Sequence, residues 1–154
     1  MTTDTPKEES MNTYSDEDIA ARLSAKGIRP SVQRMAILKY LAEHKTHPTV
    51  DMIYTALSPL IPTLSKTTVY NTVQQFDECG LIQSIQIEDG ELRYDADTSD
   101  HIHFKCMSCG KVYDIFEHAP VTSGIIPDGF TVQKTQTNLW GVCPGCQNHV
   151  SSGR

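Results

Sequence analysis

Four cysteines occur as two CxxC pairs, Cys106-Met-Ser-Cys109 and Cys143-Pro-Gly-Cys146. Four thiolates complete the tetrahedral shell of Zn²⁺, and two CxxC pairs are typical of a closed structural zinc site. The 33 residues between the pairs exceed the gap of a compact ribbon, so a metal here would tie distant strands together. The alternative is a redox dithiol at Cys143 and Cys146, as in thioredoxin-like proteins. It lacks a βαβ context and leaves the first pair unexplained.

Two histidines precede the first pair in the stretch SDHIHFKCMSCGKVYD, residues 99–114. On a strand, His101 and His103 point to one face, whereas Cys106 has the opposite parity, so a single shared site is disfavoured. Imidazoles combined with carboxylates suit Fe²⁺, Mn²⁺ or Zn²⁺. The candidate partners are Asp95, Asp97, Asp114 and His47. Two half-exposed surface histidines are the alternative, and spacing alone does not bring His47 to the pair.

Residues 14–80 carry four helix signals. Ser15, Ser31, Thr49 and Ser65 are N-cap candidates, and Gly27 and Gly80 end the first and fourth helices. Apolar spacing predicts the buried faces of the last three helices: Val32, Met35, Ala36, Leu38 and Leu41; Met52, Ile53, Ala56 and Leu57; and Val69, Val73 and Phe76.

Alternating segments flank Asp89-Gly90, which predicts a β-hairpin directly after the fourth helix. Helices followed by a hairpin describe a winged helix-turn-helix. The second half reads as short strands in HIHFKC, KVYDIFE, FTVQKTQ and NLWGVC. We therefore predict an α+β chain with a disordered tail at 1–13, a winged-helix DNA-binding domain at 14–96 and a small α/β domain at 97–154.

The fourth helix presents an outward face of Thr, Tyr, Asn and Gln, where a merely solvated helix would favour Glu and Lys. Such side chains can bond base edges or contact thymine methyls in the major groove, and Lys or Arg can bind phosphates. The predicted DNA-binding residues are Arg34, Ser65, Lys66, Thr67, Thr68, Tyr70, Asn71 and Gln74. The alternative, a polar face on a structural helix, is weakened by the wing that follows.

The net charge of −6 is unevenly distributed: about −5 over residues 1–21, +5 over 22–75 and −6 over 76–154. A basic segment inside an acidic chain is compatible with nucleic-acid binding. No apolar run reaches membrane-span length and the N-terminus lacks a secretory apolar region, so we expect no membrane partner and a cytoplasmic location. In that reducing compartment, paired cysteines indicate metal ligands before disulfides.

Six motifs follow one another along the chain: RPSVQRMAILKYL, HPTVDMIY, SKTTVYNTVQQFDECGLI, RYD, DHIHFKCMSCGKVYD and GVCPGC. Together they resemble the ferric uptake regulator (Fur) family of metal-dependent repressors over about residues 20–147. The resemblance implies a homodimer with a C-terminal dimerisation domain, a palindromic double-stranded DNA operator, and base contact by Tyr70. It implies structural Zn²⁺ at Cys106, Cys109, Cys143 and Cys146. It also implies a regulatory Fe²⁺ or Mn²⁺ site of His47, Asp95, His101, His103 and Asp114.

Asp114 stands where iron-sensing members of the family usually have Glu, so the chain is most similar to the peroxide-sensing repressors. That similarity implies oxidation of His47 and His101. The alternative is a regulator of ferric iron or zinc uptake that senses metal supply alone. Enzyme interpretations fail: a zinc deaminase needs Glu where Lys105 stands, and its Pro precedes rather than follows the cysteine.

Overall fold

The computed structural model describes residues 14–99, 101–116 and 124–150. The chain divides after Thr98 into two compact units, called unit 1 (Met1–Thr98) and unit 2 (Ser99–Arg154). The predicted α+β class with a winged helix-turn-helix in the first part is confirmed. The predicted boundary at residue 96 stays a prediction, and the predicted tail at 1–13 lies outside the described residues.

Unit 1 consists of four helices and a hairpin. The helices are α1 (Asp16–Ala25), α2 (Val32–Glu43), α3 (Val50–Leu57) and α4 (Lys66–Glu78). Each begins where the sequence predicts, because the side chains of Ser15, Ser31, Thr49 and Ser65 accept a hydrogen bond from the backbone N–H three residues later.

The core of unit 1 is one continuous apolar cluster contributed by all four helices. Its members are Ile19, Leu23, Ile28, Ile37, Leu38, Leu41, Ala42, Ile53, Leu57, Leu64, Val69, Val73, Phe76, Ile82 and Tyr94. The predicted face of α4 is confirmed. The predictions for Val32, Met52 and Ala56 are wrong, since all three are exposed. Val32 is the first residue of α2 and has no preceding turn to pack against, while α3 buries only the narrow stripe of Ile53 and Leu57.

The hairpin after α4 is the wing, which we define as strands β1 (Gln83–Glu88) and β2 (Glu91–Asp95) with the turn between them. The strands pair antiparallel, as the Asp89-Gly90 signal predicts, and the register shifts between Ile85 and Glu88. The wing is joined to α4 because Asp77 accepts hydrogen bonds from the backbone N–H and the hydroxyl of Ser84.

Unit 2 is built on a three-stranded sheet of order β4-β3-β5. Its elements are β3 (Ile102–Cys106), β4 (Val112–Ile115), β5 (Thr137–Gly141) and the helix α5 (Pro144–Val150). β3 pairs antiparallel with β4 and parallel with β5. Gly141 is required where β5 approaches β3, since a Cβ there would lie 2.9 Å from Phe104 Cζ.

Two predictions for unit 2 are corrected. The segment FTVQKTQ, residues 130–136, forms no strand, because the partner of β3 on that side is β5, which begins at Thr137. The second CxxC pair opens α5, which the sequence analysis did not predict. Within the described ranges, no helix has the length and apolar character that crossing a membrane requires.

Candidate functional site

The two CxxC pairs meet at one end of the sheet of unit 2. Parallel pairing places Cys106 opposite Gly141, two residues before Cys143, and the Met107 N–H donates to the Gly141 carbonyl at 2.7 Å. The first pair forms a tight turn that Gly110 closes with a φ of 76°. Its N–H donates to the Cys106 carbonyl at 2.9 Å.

The sulfur atoms of the four predicted cysteines lie within 4.8 Å of one another, and Cys109 Sγ is 3.9 Å from Cys143 Sγ. Tetrahedral Zn²⁺ with Zn–S bonds of about 2.3 Å requires sulfur separations of roughly 3.8 Å. The cluster therefore fits a four-thiolate metal site. Cys79 lies outside it: its thiol donates to the Phe76 carbonyl at 3.4 Å beside the core of unit 1.

Hydrogen bonds in the four-cysteine cluster favour the thiolate at Cys106 and the protonated thiol at Cys146. The backbone N–H groups of Cys143 and Cys109 donate to Cys106 Sγ at 3.3 and 3.4 Å and lower the pKa of Cys106 to about 6. The Cys146 thiol donates to Cys143, which raises the pKa of Cys146 to about 12. Metal loading must therefore displace the proton of Cys146, because only thiolates bind zinc.

Tyr113 of β4 is a member of this site that the sequence analysis missed. Its hydroxyl donates to Cys143, which lowers the pKa of Cys143 and raises the pKa of Tyr113. A hydrogen bond from the surroundings to a ligand atom orients that ligand and tunes the metal it binds. The alternation KVYDI could have indicated that Tyr113 and Asp114 face opposite sides of β4.

The histidine pair of unit 2 is buried with a carboxylate. The strand register sets His103 opposite Asp114. Asp114 Oδ1 lies 3.1 Å from His101 Nε2 and 3.6 Å from His103 Nε2. The side chains of both histidines are 1% exposed or less, which rules out the alternative of surface histidines.

The trio of His101, His103 and Asp114 has its metal-binding atoms, two Nε2 and one Oδ1, facing one another. His101 Nδ1 donates to the Ser99 carbonyl at 2.8 Å, which leaves Nε2 directed at Asp114. A backbone carbonyl on the far ring nitrogen is the usual support of a metal-binding histidine. Ligands about 2.1 Å from a metal at right angles lie roughly 3.0 Å apart, close to the spacing seen here. The donors suit Zn²⁺, Fe²⁺ or Mn²⁺.

Unit 1 holds a second buried histidine–carboxylate pair. His47 Nε2 lies 3.3 Å from Asp95 Oδ2, and both side chains are no more than 3% exposed. His47 lies in the loop between α2 and α3, and Asp95 ends β2 of the wing. The other carboxylate considered from sequence, Asp97, donates its backbone N–H to Asp95 Oδ1 at 2.9 Å.

His47 adopts a backbone conformation that side chains disfavour. Its φ of 54° makes it the one non-glycine residue with positive φ among those described. This left-handed conformation costs roughly 1–2 kcal/mol and persists only where surrounding contacts enforce it. Strain of this kind is concentrated at functional sites, and it cannot be read from the residue types around position 47.

The outward face of α4 is exposed as predicted at Thr67, Tyr70, Asn71 and Gln74. Other predicted DNA-binding residues have contacts within unit 1. Ser65 caps α4 and bonds the Thr68 hydroxyl at 2.9 Å. Lys66 pairs with Asp51 at 3.0 Å, and Arg34 donates to the Arg29 carbonyl at 2.9 Å. Ser65 and Lys66 are also exposed, and DNA contact by all eight residues stays a prediction.

A family model and curated relatives match most of this chain. The model of the ferric uptake regulator family matches residues 25–135. The chain belongs to the ferric uptake regulator family. It is 37% identical over 136 residues to the peroxide-responsive repressor PerR of Staphylococcus aureus, covering 86% of this chain and 91% of that protein. The PerR of Staphylococcus saprophyticus is 36% identical over 138 residues with the same coverage.

Solved structures share the fold of this family member. The Helicobacter pylori ferric uptake regulator Fur matches with a TM-score of 0.68 and 19% identity, over 88% of this chain and 95% of that one. A zinc-bound manganese uptake regulator matches with a TM-score of 0.61 and 25% identity, over 81% and 98%. As a ferric uptake regulator family member, the chain is a metal-binding transcriptional repressor and not an enzyme.

Proposed function

We propose that this repressor senses peroxide in the cytoplasm. In this proposal a homodimer binds a palindromic DNA operator through α4 and the wing, and Zn²⁺ occupies the four-cysteine site. Fe²⁺ or Mn²⁺ binds at a regulatory site that combines the pair of unit 1 with the trio of unit 2. The regulatory ligands are His47, Asp95, His101, His103 and Asp114.

The observation that carries the proposal is the aspartate at position 114, whose Oδ1 lies 3.1 Å from His101 Nε2. Similarity to PerR proteins named as peroxide-responsive supports the same conclusion. The donor set supports iron or manganese, because imidazole nitrogens and carboxylate oxygens bind both ions.

Fe²⁺ held by His47, Asp95, His101, His103 and Asp114 would supply one-electron chemistry toward the O–O bond of peroxide, and it would regain that electron when the oxidised ring forms. The histidines beside it are the oxidisable groups, and insertion of one oxygen atom into an imidazole consumes one H₂O₂ and releases one H₂O. His101 is held for this reaction by the Ser99 carbonyl, and burial of its ring keeps the oxidant from diffusing into bulk water. An oxidised ring is a poor ligand, so the metal and the operator are released.

Regulators of this family bind DNA operators and dimerise, which supports the proposed homodimer and operator. A helix-turn-helix dimer binds two half-sites about one helical turn apart, so the operator should be palindromic. Metal bound by ligands from both units would favour the conformer whose recognition helices match that spacing.

The second candidate function is regulation by metal supply alone, as an iron, manganese or zinc uptake regulator. It is favoured by the match to a manganese uptake regulator at 25% identity and by a donor set that several divalent metals share. Under this alternative the histidines bind metal but are not oxidised.

The experiment that separates the two functions measures operator binding by Mn²⁺-loaded and Fe²⁺-loaded protein under anaerobic conditions. The duplex is selected in vitro from a random pool by the Mn²⁺ form. A small dose of peroxide should release the Fe²⁺ form and leave the Mn²⁺ form bound. Equal resistance of both forms, with binding that follows metal concentration, would refute peroxide sensing and support the uptake regulator.

A further inference from the structure

The guanidinium group of Arg93 joins the wing to the loop that carries His47. Its Nε and Nη2 donate to Glu88 Oε1 at 2.9 and 2.7 Å, and its Nη1 donates to the His47 carbonyl at 3.1 Å. The side chains of Arg93 and Glu88 are 16% and 17% exposed. All three guanidinium nitrogens are therefore used in a largely buried network.

Three consecutive residues of β2 hold this loop. Arg93 binds the His47 carbonyl, and the Tyr94 N–H donates to the Pro48 carbonyl at 3.0 Å. The next residue, Asp95, faces His47 Nε2 at 3.3 Å. The φ of His47 is 54°, a strained backbone conformation that persists only where surrounding contacts enforce it, and these three contacts surround it.

We propose that Arg93 is a positioning residue of the regulatory site, which fixes the backbone of His47 and, through Glu88, couples that histidine to the tip of the wing. The inference rests on the proposed function, since it takes His47 and Asp95 as regulatory ligands. Glu88 borders the turn at Asp89-Gly90, the part of the wing that lies nearest DNA in a winged helix. Metal binding at His47 is then transmitted to a DNA-contacting segment within unit 1.

Arginine is required for this role. A guanidinium presents several N–H groups in a fixed plane and can bind a carboxylate and a carbonyl together, whereas a lysine ammonium is a single point charge on a flexible stem. Coupling is reciprocal, so a variant that uncouples the wing should lose metal affinity only by the factor by which metal orders the wing.

The test uses the full-length zinc-loaded protein and three variants. Arg93→Lys keeps the charge and removes the fork. Glu88→Ala removes the connection to the wing and keeps the bond to His47. The matched control is Arg22→Lys, at an exposed arginine on α1 of the same unit. Thermal melts confirm folding, Mn²⁺ affinity is measured by electron paramagnetic resonance, and hydrogen exchange is followed in the His47 loop and in residues 87–93.

Without Mn²⁺, Arg93→Lys should speed exchange in the His47 loop, and it should weaken Mn²⁺ binding about tenfold, the low end for loss of a group that supports a metal ligand. At saturating Mn²⁺ the wild type should gain protection in residues 87–93, and both Arg93→Lys and Glu88→Ala should lose that gain. Glu88→Ala should keep a Mn²⁺ affinity within about threefold of wild type. Loss of the wing protection together with retained affinity is a combination that a purely structural role would not produce.

Failures of the two proposals are distinguishable. A wild type that binds no Mn²⁺ beyond the zinc site would overturn the proposed function, while exchange of the metal-free His47 loop would still test Arg93. An Arg93→Lys protein that matches Arg22→Lys in loop exchange, affinity and wing protection would overturn the inference. If Arg93→Lys does not fold, Glu88→Ala with wild-type wing protection overturns it.

Discussion

Removing the four-cysteine metal site should unfold unit 2 and leave unit 1 folded. The perturbation is Cys143→Ser, which deletes one of the four sulfur ligands, and the matched control is Cys79→Ser, at the cysteine outside the cluster. The prediction follows from how unevenly apolar burial is distributed between the two units.

Unit 1 contains all fifteen members of the apolar core. In the described part of unit 2, the buried apolar residues are Ile102 and two of the cysteines, Cys106 and Cys143. Burying an isoleucine side chain contributes about 1.5–3 kcal/mol. Structural zinc contributes roughly 10–16 kcal/mol, which equals or exceeds the whole stability of a typical domain at about 5–15 kcal/mol. Zinc bound at the four-cysteine site would therefore be the dominant stabilising term of unit 2.

Hydrogen exchange with mass spectrometry resolves the two units in one sample. For Cys143→Ser we expect loss of zinc and of protection in peptides that cover β3 and β5, with protection of α4 unchanged. Far-UV circular dichroism should keep most of its helical signal, since α1 to α4 lie in unit 1. Cys79→Ser should retain one zinc and wild-type protection. Wild-type protection of β3 in a zinc-free Cys143→Ser protein would show that unit 2 folds without the four-cysteine metal site.

Three further substitutions have defined outcomes. Asp114→Glu should keep Mn²⁺-dependent operator binding but slow peroxide-induced release at least about tenfold. The reason is that one additional methylene displaces the carboxylate by about 1.5 Å relative to His101. An unchanged half-time of operator release would count against the role of Asp114. Tyr70→Ala should weaken operator binding by about 1–3 kcal/mol without changing the metal content. The control is Glu78→Ala, at an exposed residue at the end of α4, which should bind the operator like wild type. Equal operator binding by the two variants would remove Tyr70 from the interface. Phe76→Ala should lower the free energy of unfolding of unit 1 by about 3–5 kcal/mol in denaturant titrations, and a loss under about 1 kcal/mol would show that the core packs differently.

Local chemistry explains why much of the fold was predictable. An N-cap needs only a side-chain oxygen within three residues of a backbone N–H, and all four predicted caps at Ser15, Ser31, Thr49 and Ser65 form. The hairpin around Asp89-Gly90 is equally local. The parity that separated the histidines from Cys106 holds because a strand alternates its faces over any short span.

The errors arise where the outcome depends on distant partners. FTVQKTQ alternates like a strand but forms no strand in the part of the chain that the structure describes, so alternation alone does not make a ladder. Met52 and Ala56 have helical spacing, yet α3 is only eight residues long and has room for a narrow buried stripe.

Functional roles set by tertiary contact were also invisible in the sequence. The role of Arg93 cannot be read from the RYD motif, because its hydrogen bond to the His47 carbonyl spans 46 residues. The choice between Asp95 and Asp97 was open for the same reason. Sequence identifies residues that can bind metal, whereas the strained loop at His47 and its support become visible only when the chain is folded.

The most direct test of peroxide sensing is the mass of the peptides that contain His47 and His101, measured after anaerobic Fe²⁺-loaded protein receives a small peroxide dose. We expect one added oxygen atom on these peptides in the Fe²⁺ form, rising in step with operator release, and none in the Mn²⁺ form. Operator release by peroxide with both histidine peptides unmodified would contradict it.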